Sequence, residues 1–160
     1  MRDEIDPASL MRTGEIAVPM PGAGDASVYF IGRIRTPWLS RADCPKRGDA
    51  ITGPLCRLEI VEPWLSAIEG IDRHERLQVL YWMHLARRDL VRQSPRSDDR
   101  TTGTFALRSP VRPNPIASAI VNFVRREENV IVVRGLDCVD QTPLIDIKPE
   151  RCPHDTAAQE

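Results

Sequence analysis

The sequence predicts an all-β, mainly antiparallel domain that curls into a small barrel with one or two short helices. Three observations carry that expectation. Six or so short runs are rich in the β-branched and aromatic residues that suit a pleated surface. One segment alone has a clear helix start. Strands and helices do not alternate along the chain, which argues against a parallel sheet wrapped by crossover helices. At 160 residues and 18.0 kDa, one domain is the natural expectation. The apolar fraction of 41 % lies a little below the usual range, so ordered structure is expected in the middle and looser chain at the ends. Residues 1–27 read as a flexible N-terminal arm or an edge addition, residues 28–150 as the barrel domain, and residues 151–160 as a flexible tail.

The elements follow in order. Residues 1–27 hold Pro7, Gly14, Pro19, Pro21, Gly22 and Gly24, with only residues 15–18 strand-like. Val28, Tyr29, Phe30, Ile31 and Ile34 mark a strand over 28–34 that stops before Pro37. Residues 40–49, centred on Cys44, Pro45, Lys46, Arg47 and Gly48, read as a polar loop. Over 55–61, Cys56, Leu58 and Ile60 alternate with Leu55, Arg57 and Glu59, a period of two that marks a strand with one wet face. Pro63 then opens a short helix over 63–68 that ends at Gly70. Residues 77–84 are apolar and aromatic enough for a buried strand, and 91–100 read as a loop. Further strands are expected over 101–107, 116–124, 129–136 and 144–147.

Between two of these strands stands a rigid loop. Pro110, Pro113 and Pro115 fall within six residues, removing backbone donors and fixing φ, so neither helix nor central strand can pass through. The loop presents Arg108, Ser109, Arg112 and Asn114 in a stiff array, and such stiffness lowers the entropy lost on gripping a ligand. A proline-braced turn with solvated arginines fits the same residues. Around it lies a basic run: Arg87, Arg88, Arg92, Arg96, Arg100, Arg108 and Arg112 are opposed only by Asp89, Asp98 and Asp99. The formal net charge of −1 excludes a general nucleic-acid coat but leaves room for this local patch.

Cys44, Cys56, Cys138 and Cys152 show no paired spacing of the zinc or redox kind, and His154 beside Cys152 does not complete a site, so no metal is expected. There is no apolar run near the length of a membrane span, and the acidic start is not a signal peptide. A cytoplasmic protein with no membrane partner is the expectation. No glycine-rich phosphate loop of the Rossmann or Walker type occurs.

The proline loop, followed by the stretch Asp137, Cys138, Val139, Asp140, Gln141, Thr142, Pro143, Leu144, Ile145, Asp146, Ile147, Lys148 and Pro149, resembles the TsaA-like (TrmO) family over about residues 28–150. Pro45, Lys46 and Arg47 stand where that family usually shows Pro-Arg-Gln, and Trp82, Met83 and His84 match a strand end carrying His. The resemblance implies a small barrel that dimerises and binds S-adenosylmethionine near the subunit contact. It implies methyl transfer to the exocyclic amino nitrogen of a modified adenosine in tRNA. Position by position, it implies cofactor contacts from Pro45, Lys46, Arg47, His84, Leu85, Arg108, Ser118, Asp137, Cys138, Val139 and Asp140. Ser118 stands where the family tends to have Leu, Ala117 where it has Gly, and Gln141 replaces a usual Gly.

Methyl transfer from a sulfonium is an in-line displacement that needs alignment more than a strong acid or base. Arg108 suits the carboxylate of the cofactor, and Asp137 or Asp140 suits its ribose hydroxyls or ammonium. His84 is the candidate to take the proton from the methylated amine, although a His ending an apolar strand also fits a structural role. Asp146 reads either as a sheet carboxylate paired with a cation or as the base, with the structural role favoured. A cofactor-binding regulatory module without transfer activity is the alternative reading.

Overall fold

The computed structural model describes residues 11–95 and 100–151. Expectations for residues 1–10, for Arg96, Asp98 and Asp99, and for Cys152 and His154 in the tail lie outside that range. The chain divides into two units, one of Met1–Asp25 with Leu85–Pro115 and one of Ala26–His84 with Ile116–Glu160.

The first unit is a three-stranded antiparallel sheet in the order β1–β5–β6, from β1 (Ile16–Ala17), β5 (Leu90–Gln93) and β6 (Thr102–Gly103). A segment expected as an arm thus supplies a strand, and the expected loop over 91–100 contains one. The signal was hidden because Leu90 and Gln93 are the buried members of β5, a spacing that does not alternate. The expected strand over 101–107 shrinks to β6 followed by a 3-10 turn at Thr104–Ala106. The buried Thr104 hydroxyl donates to Leu90 O at 2.6 Å and meets Gln93 Nε2 at 2.9 Å. Such side-chain bonds offer the backbone an alternative to a ladder.

The second unit is a closed barrel in the order β2–β3–β8–β7–β4–β9. Its strands are β2 (Gly32–Arg35), β3 (Cys56–Ile60), β4 (Arg76–Trp82), β7 (Ile116–Glu127), β8 (Val130–Arg134) and β9 (Thr142–Pro149). All pairings are antiparallel. Closure satisfies every edge of the sheet. Alternation sorts the side chains: Cys56, Leu58 and Ile60 of β3 and Leu77, Val79 and Tyr81 of β4 face the core with Ile34, Val121, Ile131, Val133 and Leu144. Truncating a residue such as the fully buried Leu58 to Ala would cost about 2–5 kcal/mol.

Two features let the strands close. Gly32 lies so near β3 that a Cβ there would fall 1.9 Å from Glu59 O, so only glycine fits. In β9 the register slips by one residue against β4: Leu80 faces Asp146, while Tyr81 faces Leu144. This bulge switches the inward positions from Leu144 to Ile147 and turns Asp146 to the outer face, where it pairs with Lys148. Asp146 is therefore a surface strand carboxylate, the favoured of its two readings.

The ends of elements differ from expectation for local reasons. The strand expected over 28–34 starts at Gly32, because Val28, Tyr29 and Phe30 lie on the outside, where Tyr29 packs against Trp64 and Phe30 against Trp82 with centroids 5.8 and 6.3 Å apart. The helix expected over 63–68 is a single 3-10 turn, Leu65–Ile68, followed past Gly70 by another at Ile71–Arg73. Gly70 links them with φ of 78°, a left-handed conformation suited to glycine.

Candidate functional site

Antiparallel closure sends particular loops to one end of the barrel. The C-terminal ends of β2, β4 and β8 and the N-terminal ends of β3, β7 and β9 share that end. The β2–β3 connection (36–55) and the β8–β9 turn (135–141) both belong to it, and β4 ends there shortly before His84. Two of the sequence motifs, around Pro45 and around Asp137, thus meet although they lie about ninety residues apart.

The β8–β9 turn is bonded to the end of β2 along its length. Asp140 Oδ1 accepts from Arg35 Nε and from the Thr36 backbone N–H, both at 3.0 Å, and Asp140 Oδ2 accepts from Gln141 Nε2 at 3.2 Å. The Thr36 hydroxyl donates to Cys138 O at 2.9 Å, Asp140 N–H to Trp38 O at 2.7 Å, and Gln141 N–H to Ile34 O at 2.9 Å. Burial pushes the Asp140 carboxyl upward, but the bonds from Thr36, Arg35 and Gln141 outweigh it and hold the pKa below the ordinary value. Gln141 itself adopts φ of 67°, a left-handed conformation that is costly for a residue with a Cβ. Its amide oxygen accepts from Arg33 Nη1 at 3.1 Å, so the side chain ties the strained position to both flanking groups.

The β2–β3 loop rests on the same turn. A Cβ on Gly48 would lie 1.9 Å from Gly135 O, which puts the backbones of the two connections in direct contact. Pro45, Lys46 and Arg47, just before Gly48, are exposed. Cys44 is half-buried, and its thiol pKa is raised by burial and then by the charges of Asp137 and Asp43.

Asp137 is the centre of this arrangement. The phenol of Tyr81, 3 % exposed near the end of β4, donates to Asp137 Oδ1 at 3.0 Å. Burial, followed by the charge of Asp137, pushes the Tyr81 pKa well up, so the phenol stays a donor. This is the one hydrogen bond that Asp137 makes among the described residues, whereas Asp140 has both oxygens engaged. Asp137 is thus the carboxylate with capacity for a further donor. Cys138 points into the core, and burial pushes its thiol up to about 12, so what it can offer a ligand is backbone. Val139 O already accepts from the Thr142 hydroxyl at 2.7 Å.

The remaining candidates are dispersed. His84 is exposed just past β4, its N–H bonded to Trp82 O at 2.8 Å. Ser118 is opposite Leu80 on the outer face of β7, where its hydroxyl accepts from Gln78 Nε2 at 2.9 Å. The inward neighbours of Ser118, Ala117 and Ala119, pack on the core instead. Leu85 and Arg108 belong to the other unit, where both are exposed. Sequence reasoning missed Arg35, Thr36 and Tyr81. Tyr81 carried a signal, as the last inward position of an alternating strand with a polar tip to satisfy.

Residues 33–155 match the family model described as the tRNA-methyltransferase O N-terminal domain. The chain belongs to that family. Among relatives of this tRNA-methyltransferase O family, a probable S-adenosyl-L-methionine-binding protein, VirR, of Rhizobium radiobacter is 55 % identical over 141 residues, covering 88 % of this chain and 80 % of that one. A probable S-adenosyl-L-methionine-binding protein of Methanothermobacter thermautotrophicus is 37 % identical, covering 74 % of this chain and 85 % of its own length. The tRNA (adenine(37)-N6)-methyltransferase of Escherichia coli is 32 % identical over 74 % of this chain, which spans 55 % of that enzyme. The crystal structure of TrmO from Pseudomonas aeruginosa superposes with a TM-score of 0.64 at 29 % identity, covering 86 % of this chain and 60 % of that one.

Proposed function

We propose that this protein is an S-adenosylmethionine-dependent methyltransferase that modifies the exocyclic amino group of an adenosine in tRNA, acting as a homodimer. The observation that carries the reading is the junction of the Pro45–Lys46–Arg47 loop with the Asp137–Asp140 turn at one barrel end, in a chain of this family. The donor set suits the cofactor. Asp137 has an oxygen for a ribose hydroxyl or the ammonium, and Lys46 and Arg47 are exposed cations for a carboxylate. When bound, the cofactor supplies a methyl group on a sulfonium, which leaves as a neutral thioether.

The chain's own work is alignment, worth about 7–11 kcal/mol when partners are well oriented. Tyr81 fixes one face of Asp137, and Arg35, Thr36 and Gln141 fix Asp140, so the turn is held before any ligand arrives. In this proposal Asp140 is a positioning group and Asp137 the contact. His84 accepts the proton that the amine loses. Cys138 and Val139 contribute backbone atoms, while Leu85, Arg108 and Ser118 enter on the family resemblance alone.

Titration calorimetry should show S-adenosylmethionine binding to the wild-type protein and a loss of at least tenfold in Asp137→Ala. Labelled methyl transfer to tRNA from cells lacking the protein should follow. A wild-type protein that binds no cofactor would sink the proposal. The second reading, a cofactor-binding module without transfer, is favoured by the names of VirR and the Methanothermobacter relative, of which this chain covers 80 % and 85 %. Binding without transfer would select it.

A further inference from the structure

The loop that carries Pro45, Lys46 and Arg47 is organised just beyond them, over residues 48–53. Asp49 Oδ1 accepts from the backbone N–H of Ile51 at 2.8 Å and from that of Thr52 at 2.9 Å, and the Thr52 hydroxyl donates to Asp49 Oδ2. The Thr52 hydroxyl first, and then the N–H groups of Thr52 and Ile51, hold the Asp49 carboxyl down at about 2, so the turn keeps its charged acceptor at neutral pH. Bonds of this kind fix the shape of a turn. They do not fix its place.

Place comes from a cross-strand pair on the barrel. Asn122 Nδ2 donates to Ala50 O at 2.7 Å, and Arg134 donates through Nη1 to Gly53 O. Asn122 of β7 is the register partner of Arg134 of β8, so the two donors stand side by side. Each alternates with inward residues, Val121 and Phe123 on β7 and Val133 on β8, so both lie on the outer face. They reach the turn near its start and at its end. At Gly135, φ is 115° and the Ala50 Cβ lies 3.0 Å from where a Cβ would stand, so the turn is drawn close against the end of β8. The turn buries little apolar surface in return, since Ile51 is 81 % exposed and Thr52, Pro54 and Leu55 are exposed as well. Core stability therefore gains little from these two bonds. What they set is where the loop lies.

We propose that Asn122 and Arg134 are positioning residues for cofactor binding: they hold residues 48–53 against the barrel and so fix where Lys46 and Arg47 stand. The inference deepens the reading of that loop as a cofactor contact and rests on it. Neither side chain touches the ligand in this scheme. Their effect is to order the loop in advance, which removes an entropy cost that a loose loop would meet on gripping a ligand.

The test combines three measurements on the full chain: calorimetric titration with S-adenosylmethionine, urea unfolding, and native-state trypsin cleavage after Lys46 and Arg47, followed by mass spectrometry. Asn122→Asp keeps the size of the side chain but turns an acceptor toward Ala50 O, and should weaken cofactor binding about five- to thirtyfold. Cleavage after Lys46 and Arg47 should quicken at least about fivefold, while the urea midpoint falls by less than about 0.5 M. Arg134→Met should repeat this pattern, and Arg134→Lys, which keeps a donor for Gly53 O, should restore most of the affinity. Unchanged affinity or unchanged cleavage in both Asn122→Asp and Arg134→Met overturns the inference. So does a loss of affinity with a larger fall in the urea midpoint and no rescue by Arg134→Lys, because general loosening of the barrel would then account for it. Wild-type protein that binds no S-adenosylmethionine sinks the cofactor reading and this inference with it, whereas tight wild-type binding with unaltered variants sinks this inference alone.

Discussion

Replacing Tyr81 by Phe removes one oxygen and leaves the ring packing of β4 unchanged, so it isolates the bond to Asp137. A hydrogen bond to a charged acceptor contributes about 1.5–3 kcal/mol. Asp137 is half-buried, so water can reach the orphaned oxygen, and the expected loss sits at the low end, about 1–2 kcal/mol. For a chain of this size that lowers Tm by roughly 3–8 °C, measured by thermal and urea unfolding. The pH dependence has a definite sign. The Tyr81 pKa is raised above its unfolded value near 10, so its contribution is complete below pH 10 and is lost as pH rises beyond it. Tyr81→Phe should therefore narrow its gap from wild type above pH 10. If Asp137 is oriented through this bond, cofactor affinity falls as well, by about three- to tenfold, with the fold intact. A variant within about 0.5 kcal/mol of wild type, with unaltered affinity, would refute the claim that this bond orders the turn.

Asp140→Asn keeps the shape of the turn but loses its charge-assisted bonds to Arg35 and Thr36, and should cost about 1–3 kcal/mol in urea unfolding. Because the Asp140 pKa is lowered, its stabilisation is complete above the ordinary carboxylate pKa and is lost as pH falls below it; the variant should lose less stability than wild type as pH falls below about 4. Gly48→Ala places a methyl against Gly135 O and should cost more than about 3 kcal/mol while abolishing cofactor binding, read by Tm and calorimetry together. Gln141→Gly relieves about 1 kcal/mol of left-handed strain but gives up the bonds to Arg33 and Asp140, so stability should move by less than about 1 kcal/mol. A large loss there would show that the side-chain bridge outweighs the strain.

Much of the barrel was legible because its signal is local. Alternation in β3 and β4 names the inward residues directly, and closure follows from several antiparallel strands with no helices to cover a parallel sheet. Where side chains compete with the ladder, the reading fails: Thr104 ends β6 early, and the aromatic residues 28–30 turn to the outside. The candidate site divides the same way. Pro45–Arg47 and Asp137–Asp140 stood out as motifs, but that Ser118 lies on the outer face of its strand could not be read from the motif, because facing depends on register.

What the sequence determined by itself is the inventory: which runs alternate, where proline and glycine forbid other conformations, and where charge gathers. What only the tertiary structure decided is which of those groups are already engaged. Asp137 and Asp140 are the same residue type three positions apart, yet Asp140 has both oxygens engaged by Arg35, Thr36 and Gln141 while Asp137 has one engaged by a buried phenol. Hydrogen-bond capacity is a property of a side chain's neighbours in space, and those neighbours come from strands that sequence order does not place side by side.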